Sequence, residues 1–455
     1  MKTFRVTPLI VIATVYVIAA LLNVQIITTI WRHSFDDGSY SHAYLIPFIC
    51  AFLFWRLYQR GELIGRTKLS VTVIGYFVLA SLLLFVSVRA QLSLAYWIAL
   101  LLLCSSAILL FLRANLALVA ATLYPIYLLP VWGSLTNLLQ FISVSAVEVM
   151  MSFSGIAFYV EEQYVTIPAG VFHIANGCSG LRYLLVSLAI THLYVLLYLR
   201  HWSSAIKFIS VAIAGALVTN WIRITALILI GEYTQMTSPL MKDHNNFGWY
   251  LYIPFLFLLF AYGNYLERKL PVADAKEENC GSSIAIKARA IVVCVLGLSL
   301  SSSWLATAHK SNQVYTNIET LPAPTIKFYS SINHTSSTDR PSDISEYRIW
   351  FDCKELDCKP DFYLNNMVPE GWQVLRHDRT GEANYLLVAK GRQRAQITYT
   401  YQYGDTTVDN LMALKLSRLS GVFRTDQQTS IAWRMVDCDI GSCANSKGGF
   451  DGNIR

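Results

Sequence analysis

Three side chains of this chain have types and settings suited to acyl-transfer chemistry: Cys178, Arg223 and His244. Cys178 lies in "ANGCSGLRYLL" (Ala175–Leu185), at the mouth of an apolar run rather than inside it. A helix starting near Ser179 would turn its unpaired N–H groups and positive dipole end toward the thiol. Arg182, four residues on, would share its face. Both effects favour the thiolate, the nucleophilic form; the plainer alternative is an idle cysteine at a helix cap. Arg223 lies in "TNWIRITALILIG" (Thr219–Gly231), three residues after Asn220 and so on the same helix face. About two turns inside its span, a guanidinium costs a few kcal/mol unless it meets a polar cavity or a partner. Snorkelling to the surface would relieve Arg223 but not Asn220, which lies deeper. His244 follows Asp243 in "MKDHNNFGWYLYIPF" (Met241–Phe255), in a loop before the next apolar run. Alone it reads as a solvated loop histidine. Together the three supply a thiol nucleophile, a proton donor or base, and a cation for an oxyanion.

The elements that must hold these residues are membrane helices. Of 455 residues, 54% are hydrophobic and 14% charged, against about 25% charged in soluble domains. Apolar runs of spanning length cover 7–30, 43–58, 69–88, 92–112, 114–133, 181–199, 208–231, 247–266 and 288–307. The expected fold is a polytopic α-helical membrane protein of about nine transmembrane helices with a C-terminal α+β soluble domain. Its parts are a membrane domain over 1–266, a linker and last helix over 267–308, and the soluble domain over 309–455. Met1–Leu22 reads as the first span rather than a cleaved signal, because its apolar run reaches about Ile30. Asn137–Val160 reads as an interfacial amphipathic helix, because it carries Gln140, Ser143 and Glu148.

Lys and Arg gather on the cytoplasmic side of short loops. With the N-terminus inside, fourteen fall inside and four outside, namely Arg32, Arg89, Arg182 and Lys242. This distribution accounts for the net charge of +7 without nucleic acid. It puts Cys178, His244, the outer end of the Arg223 helix and the soluble domain on one side, outside. There, "DCKELDC" (Asp352–Cys358) and "DCDIGSC" (Asp437–Cys443) each hold a Cys-x4-Cys pair. Cys353, Cys358, Cys438 and Cys443 are therefore disulfide candidates in an oxidising compartment. A four-cysteine zinc site is the alternative.

In the soluble domain, "RQRAQITYTYQYG" (Arg392–Gly404) alternates as a strand, and "TVDNLMALKLSRLSG" (Thr407–Gly421) has helical spacing ending at a glycine. Trp350, Phe351, Trp372 and Trp433 read as core. No nucleophile–base arrangement stands out in this domain, which reads as a substrate- or partner-binding module.

"SHAYLIPFICAFLFW", "NGCSGLRYL", "NWIR" and "DHNNFGW", in this order over about residues 5–265, resemble the exosortases, bacterial inner-membrane cysteine transpeptidases. The C-terminal region resembles the exosortase-associated periplasmic domain through "WFDC", "AQITYTYQYGD" and "DNLMALKLSRLSG". The resemblance implies Cys178 as catalytic cysteine with Arg223 and His244 as its partners, and Asn220, Arg182, Ser179 and Asp243 in support. It implies no cofactor and no metal. The implied substrates are membrane-anchored proteins of the PEP-CTERM type, whose C-terminal sorting signal is a Pro-Glu-Pro-like motif, a membrane helix and a basic end. The acyl group would pass to a surface acceptor that the sequence does not identify. Chemistry favours His244 as proton donor, since a guanidinium gives up protons poorly; the family resemblance gives that role to the arginine. The rival function is a membrane component of exopolysaccharide polymerisation or export, which should tolerate loss of the Cys178 thiol.

Overall fold

The computed structural model describes residues 3–438 apart from 36–37, 200, 243, 270–283, 316–321, 336–343, 362–364 and 425–427. The apolar runs form helices because every backbone N–H and C=O must be paired where no water can do it. The helices are α1 (Pro8–Leu22), α2 (Val24–Phe35), α3 (Ile46–Gln59), α4 (Val71–Arg89), α5 (Ser93–Phe111), α6 (Leu116–Leu123), α7 (Thr136–Ser152), α8 (Leu181–Tyr198), α9 (Trp202–Tyr233), α10 (Pro239–Lys242), α11 (His244–Lys269), α12 (Ala288–Leu300), α13 (Ser303–Ala306) and α14 (Leu411–Ser420).

Among the described residues, seven helices are long and apolar enough to cross a membrane, or eight if the bent pair α1–α2 is one span. This corrects the sequence expectation in three places. The 7–30 run is not straight but bends by 91° between α1 and α2. Asn23 lies at the break, and its side-chain oxygen accepts from the Ser303 backbone N–H at 2.9 Å. The 43–58 and 114–133 runs fold into shorter pieces: α3 has 14 residues, about 21 Å against a hydrocarbon core of about 30 Å. And 136–152, expected at the interface, is part of a helical run from Pro130 to Ser152 of spanning length.

Backbone contacts divide the chain into two compact units. The first comprises residues 1–19, 30–78 and 100–296. Its centre is the helix trio α8, α9 and α11, which packs through Phe208, Leu259 and Leu266 at one level and Tyr183, Ala216 and Tyr252 at another. Beside it, Leu139 of α7 packs with Leu181, Leu184 and Leu217, while Val147 and Met151 pack with Ile224 and Ile228. Hence α7 runs in the same direction as α9. At the other end of the helices, arginines cap helix C-termini, where carbonyls lack partners and the dipole is negative. Arg60 donates to Leu197 O at 3.0 Å and Arg66 to Leu109 O at 2.8 Å. A short antiparallel pair, β1 (Thr3–Val6) with a strand at Ile284–Lys287 (β5), ties the N-terminus to the start of α12. Between α7 and α8 lies a three-stranded antiparallel sheet of β2 (Tyr159–Glu161), β3 (Tyr164–Ile167) and β4 (Gly170–His173).

The second unit comprises residues 20–29, 79–99 and 297–455. Its body is a seven-stranded antiparallel sheet. The strands are β6 (Ser331–Thr335), β7 (Ile344–Trp350), β8 (Gln373–Arg379), β9 (Asn384–Lys390), β10 (Gln393–Tyr403), β11 (Thr406–Val408) and β12 (Thr429–Asp437). They are ordered β6-β7-β12-β10-β9-β8, with β11 paired to β10. Alternation along β9 and β10 buries Leu386, Val388, Ala395 and Ile397. Phe351 and Trp433 lie in the core, and the Trp433 indole donates to Met367 O at 2.8 Å. Cys353 and Cys358 are joined as a buried disulfide. Cys438 is also disulfide-bonded, and Cys443 lies outside the described residues.

Candidate active site

The chain around Cys178 is pinned before any helix begins. In the small sheet, Val165 and Ile167 point into a cluster with Val144, Val147 and Met151 of α7 and Ile224 and Ile228 of α9; Cys178 packs against its side. After β4 the backbone makes a 3₁₀ turn over Asn176–Cys178, with the Cys178 N–H donating to Ala175 O at 2.8 Å. Gly180 then takes a left-handed φ of +86°, which glycine alone adopts without strain, and α8 starts at Leu181. The helix expected to start near Ser179 thus begins just after this break, at Leu181. The break also removes the helical spacing that would have put Arg182 on the Cys178 face. Arg182 is half-buried and within electrostatic reach of His42, and no hydrogen bond joins it to Cys178 among the described residues.

Asn220 explains its own depth. It is fully buried, and its amide donates to Cys178 O at 2.9 Å and to Ser143 Oγ at 3.3 Å. Ser143 Oγ in turn donates to Ser179 O at 3.2 Å, and Gln140 donates to Ile174 O at 2.6 Å. Three polar side chains from two transmembrane-type helices therefore hold the carbonyls of residues 174, 178 and 179. Buried carbonyls need such partners, and here the partners fix the loop that carries the thiol.

Arg223 sits one turn along from Asn220 and is buried. Its Nη2 donates to Cys178 Sγ at 3.2 Å and its Nη1 to Tyr183 Oη at 3.1 Å. The guanidinium carbon lies 5.6 Å from the centre of the Tyr183 ring, within cation–π range. Among the described residues, the buried Nε of Arg223 has no hydrogen-bond partner. Tyr183 is fixed in turn. Its ring stacks on Tyr252 at 4.8 Å, and Tyr252 Oη donates to Tyr183 O at 3.2 Å. The arginine is not snorkelling; it is clamped between a thiol and a phenol.

The start of α11 closes against this pair. A Cβ on Gly248 would fall well inside contact distance of Tyr183 Oη and 2.9 Å from Arg223 Cδ. His244, the first residue of α11, is one turn before Gly248 and on the same helix face. That spacing brings the His244 position to the Arg223 side of α11. The His244 side chain and Asp243 lie outside the described residues. Ser179 is buried and contributes its carbonyl to the Ser143 contact.

Gly180, Ser143, Gln140, Tyr183 and Gly248 complete the arrangement and escape a reading by chemical type. Gln140 and Ser143, three apart in an apolar helix, carry the one usable signal for an inward polar face. Chemically, a thiol beside a fixed guanidinium can attack an acyl carbon while the cation takes up developing negative charge. Among the described residues, no group of three or more His, Cys, Asp and Glu is placed to hold a metal ion.

Residues 31–261 match the model of a family described as transmembrane exosortase (Exosortase_EpsH). The matched region contains Cys178, Arg223 and His244 and stops before the soluble domain. No curated protein and no solved structure matches the chain.

Proposed function

The chain belongs to the transmembrane exosortase family, and we propose that it is a cysteine-type sorting peptidase and transpeptidase working through Cys178. The observation that carries this reading is the 3.2 Å contact from Arg223 Nη2 to the half-buried Cys178 Sγ at a helix mouth. The substrate class is an exported protein ending in a Pro-Glu-Pro-like motif, a membrane helix and a basic end. Its helix would lie along the bundle and bring the motif to the level of Cys178.

In the first half-reaction the Cys178 thiolate attacks the scissile carbonyl carbon. The C–N bond then breaks as the leaving amine takes up a proton, and an acyl-thioester remains on Sγ. Arg223 stabilises the thiolate and then the oxyanion. His244, at the start of α11, protonates the amine, because an imidazole titrates near neutral pH and a guanidinium does not. In the second half an acceptor nucleophile attacks the thioester, His244 takes its proton, and the thiolate leaves. We place this site and the soluble domain on the periplasmic side of the inner membrane, because Arg200, Lys207, Arg268, Lys269, Lys287 and Arg289 gather at the ends of α8, α9, α11 and α12 away from Cys178, against Arg182 and Lys242 on its side.

The test is trapping. Membranes incubated with a tagged substrate and quenched in acid should yield an adduct on Cys178 that hydroxylamine releases. Cys178→Ala should abolish cleavage and adduct with the protein still folded, and His244→Ala should slow cleavage by about 10² to 10⁴. Normal processing by Cys178→Ala refutes the mechanism.

A further inference from the structure

Helix α14 wears its apolar side outward. Leu414 and Arg418 are buried against the sheet, with Arg418 Nε donating to Thr429 Oγ1 at 3.1 Å. Met412, Leu416 and Leu419 follow at spacings of four and three, which puts them on one stripe of α14, and Phe423 continues this apolar run in the turn after the helix. They are 66%, 60%, 41% and 75% exposed. Four large apolar side chains in a row on a polar domain mark a surface that is covered in the working protein.

The same unit shows what covers it. Helix α4 has 19 residues, about 28 Å, close to the full hydrocarbon thickness of about 30 Å. Its last residue, Arg89, therefore stands at the headgroup level. The Arg89 guanidinium donates from Nε to Val422 O at 3.1 Å and from Nη2 to Arg424 O at 2.9 Å. These two carbonyls flank Phe423, so the end of the stripe is held at the membrane surface. A second membrane element meets the same arginine: Nη1 donates to Ala306 O at 3.5 Å, at the end of the span Ala288–Ala306. Trp304 and Leu305 in that last turn are exposed, as residues at a lipid interface are. Lys415 and Arg424 are exposed beside the stripe, where anionic headgroups would meet them.

We propose that α14 is a membrane-docking helix whose Met412, Leu416, Leu419 and Phe423 stripe is seated at the boundary between headgroups and acyl chains, beside Arg89. The sheet domain is then held to the bilayer by its own surface as well as by its link to α12. This reading needs only the multi-pass membrane fold and stands independently of the cysteine mechanism.

The experiment uses the full chain reconstituted into vesicles of phosphatidylcholine and phosphatidylglycerol in equal parts. A benzophenone amino acid is placed singly at Leu416, Phe423, Leu82 or Leu375. Leu82 is exposed on α4 and reports lipid; Leu375 is exposed on β8 and reports water. After illumination, mass spectrometry of the labelled peptide should find lipid adducts at 416 and 423 in yields like those at 82, and none at 375. Adduct-free peptides at 416 and 423 beside a positive at 82, or adducts to protein alone, would overturn the proposal.

Discussion

Gly180 and Asn220 touch as closely as their atoms allow: a Cβ on Gly180 would lie 2.9 Å from Asn220 Nδ2. The missing side chain lets the amide reach Cys178 O, and the left-handed backbone joins the turn to the start of α8 at Leu181. One glycine thus sets both the direction of the loop and its attachment to α9.

Gly180→Ala should therefore cost function out of proportion to stability. The left-handed backbone penalises alanine by about 1–2 kcal/mol, which a membrane bundle survives. The methyl group must also displace Asn220 and release Cys178 O. Cleavage of a tagged substrate should fall at least about tenfold, the equivalent of 1.4 kcal/mol, while the variant still elutes as a folded species in detergent. Wild-type turnover by this variant would show that the Asn220 contact does not position the thiol.

The clamp on Arg223 predicts a graded series. Arg223→Lys keeps the charge but loses the planar fork that reaches Cys178 and Tyr183 at once, so cleavage should drop by about 10² to 10³, as when an oxyanion donor is removed. Tyr183→Phe keeps the ring and the Tyr252 stack but leaves Nη1 of Arg223 buried without its acceptor, a cost of about 1–3 kcal/mol. Its cleavage rate should lie between wild type and Arg223→Lys. Rates of membrane-bound enzyme on the tagged substrate check the order, and Tyr183→Phe worse than Arg223→Lys contradicts it.

The two buried polar residues of α9 are legible in the sequence because they break an apolar background. Asn220 and Arg223 have no reason to be there unless something meets them. The thiol is legible because it sits at the mouth of an apolar run rather than inside it. Gly180 and Gly248 are not legible, since each acts through an atom it lacks. Ser143 and Gln140 argued for an interfacial helix, because a hydroxyl reads the same whether it faces headgroups or a neighbour's carbonyl. The bend at Asn23 depends on Ser303, 280 residues away, and no local pattern encodes a partner at that distance.

The sidedness rests on charge and is open to a direct check. In a Cys178→Ala background, cysteines replace Thr237, between α9 and α10, or Lys68, between α3 and α4; both positions are exposed. An impermeant thiol reagent added to intact cells should label Thr237→Cys and spare Lys68→Cys until the membrane is opened. The opposite labelling would put the candidate site in the cytoplasm and remove the sorting reaction with it.

The last prediction concerns pH and the soluble unit. Lys310 is half-buried. Burial and the Arg418 guanidinium push its ammonium down to about 7 from the usual 10.5, with Arg89 and Lys359 acting the same way and Asp352 opposing. Between these values the unfolded chain holds a proton that the folded chain has given up. The unfolded state binds more protons there, so stability rises as pH increases from about 7 toward 10.5. Below about 7 both states are charged and the full cost of burying the ammonium is present. Lys310→Met keeps most of the side-chain length and removes the charge. The full-length variant in detergent should melt higher than wild type at pH 6.5, and the gap should narrow markedly by pH 9.5. Other groups titrate in both proteins, so the difference between the two melting curves isolates Lys310. A gap that stays constant with pH, or opens upward, would show that the Lys310 ammonium is not destabilised in the folded state.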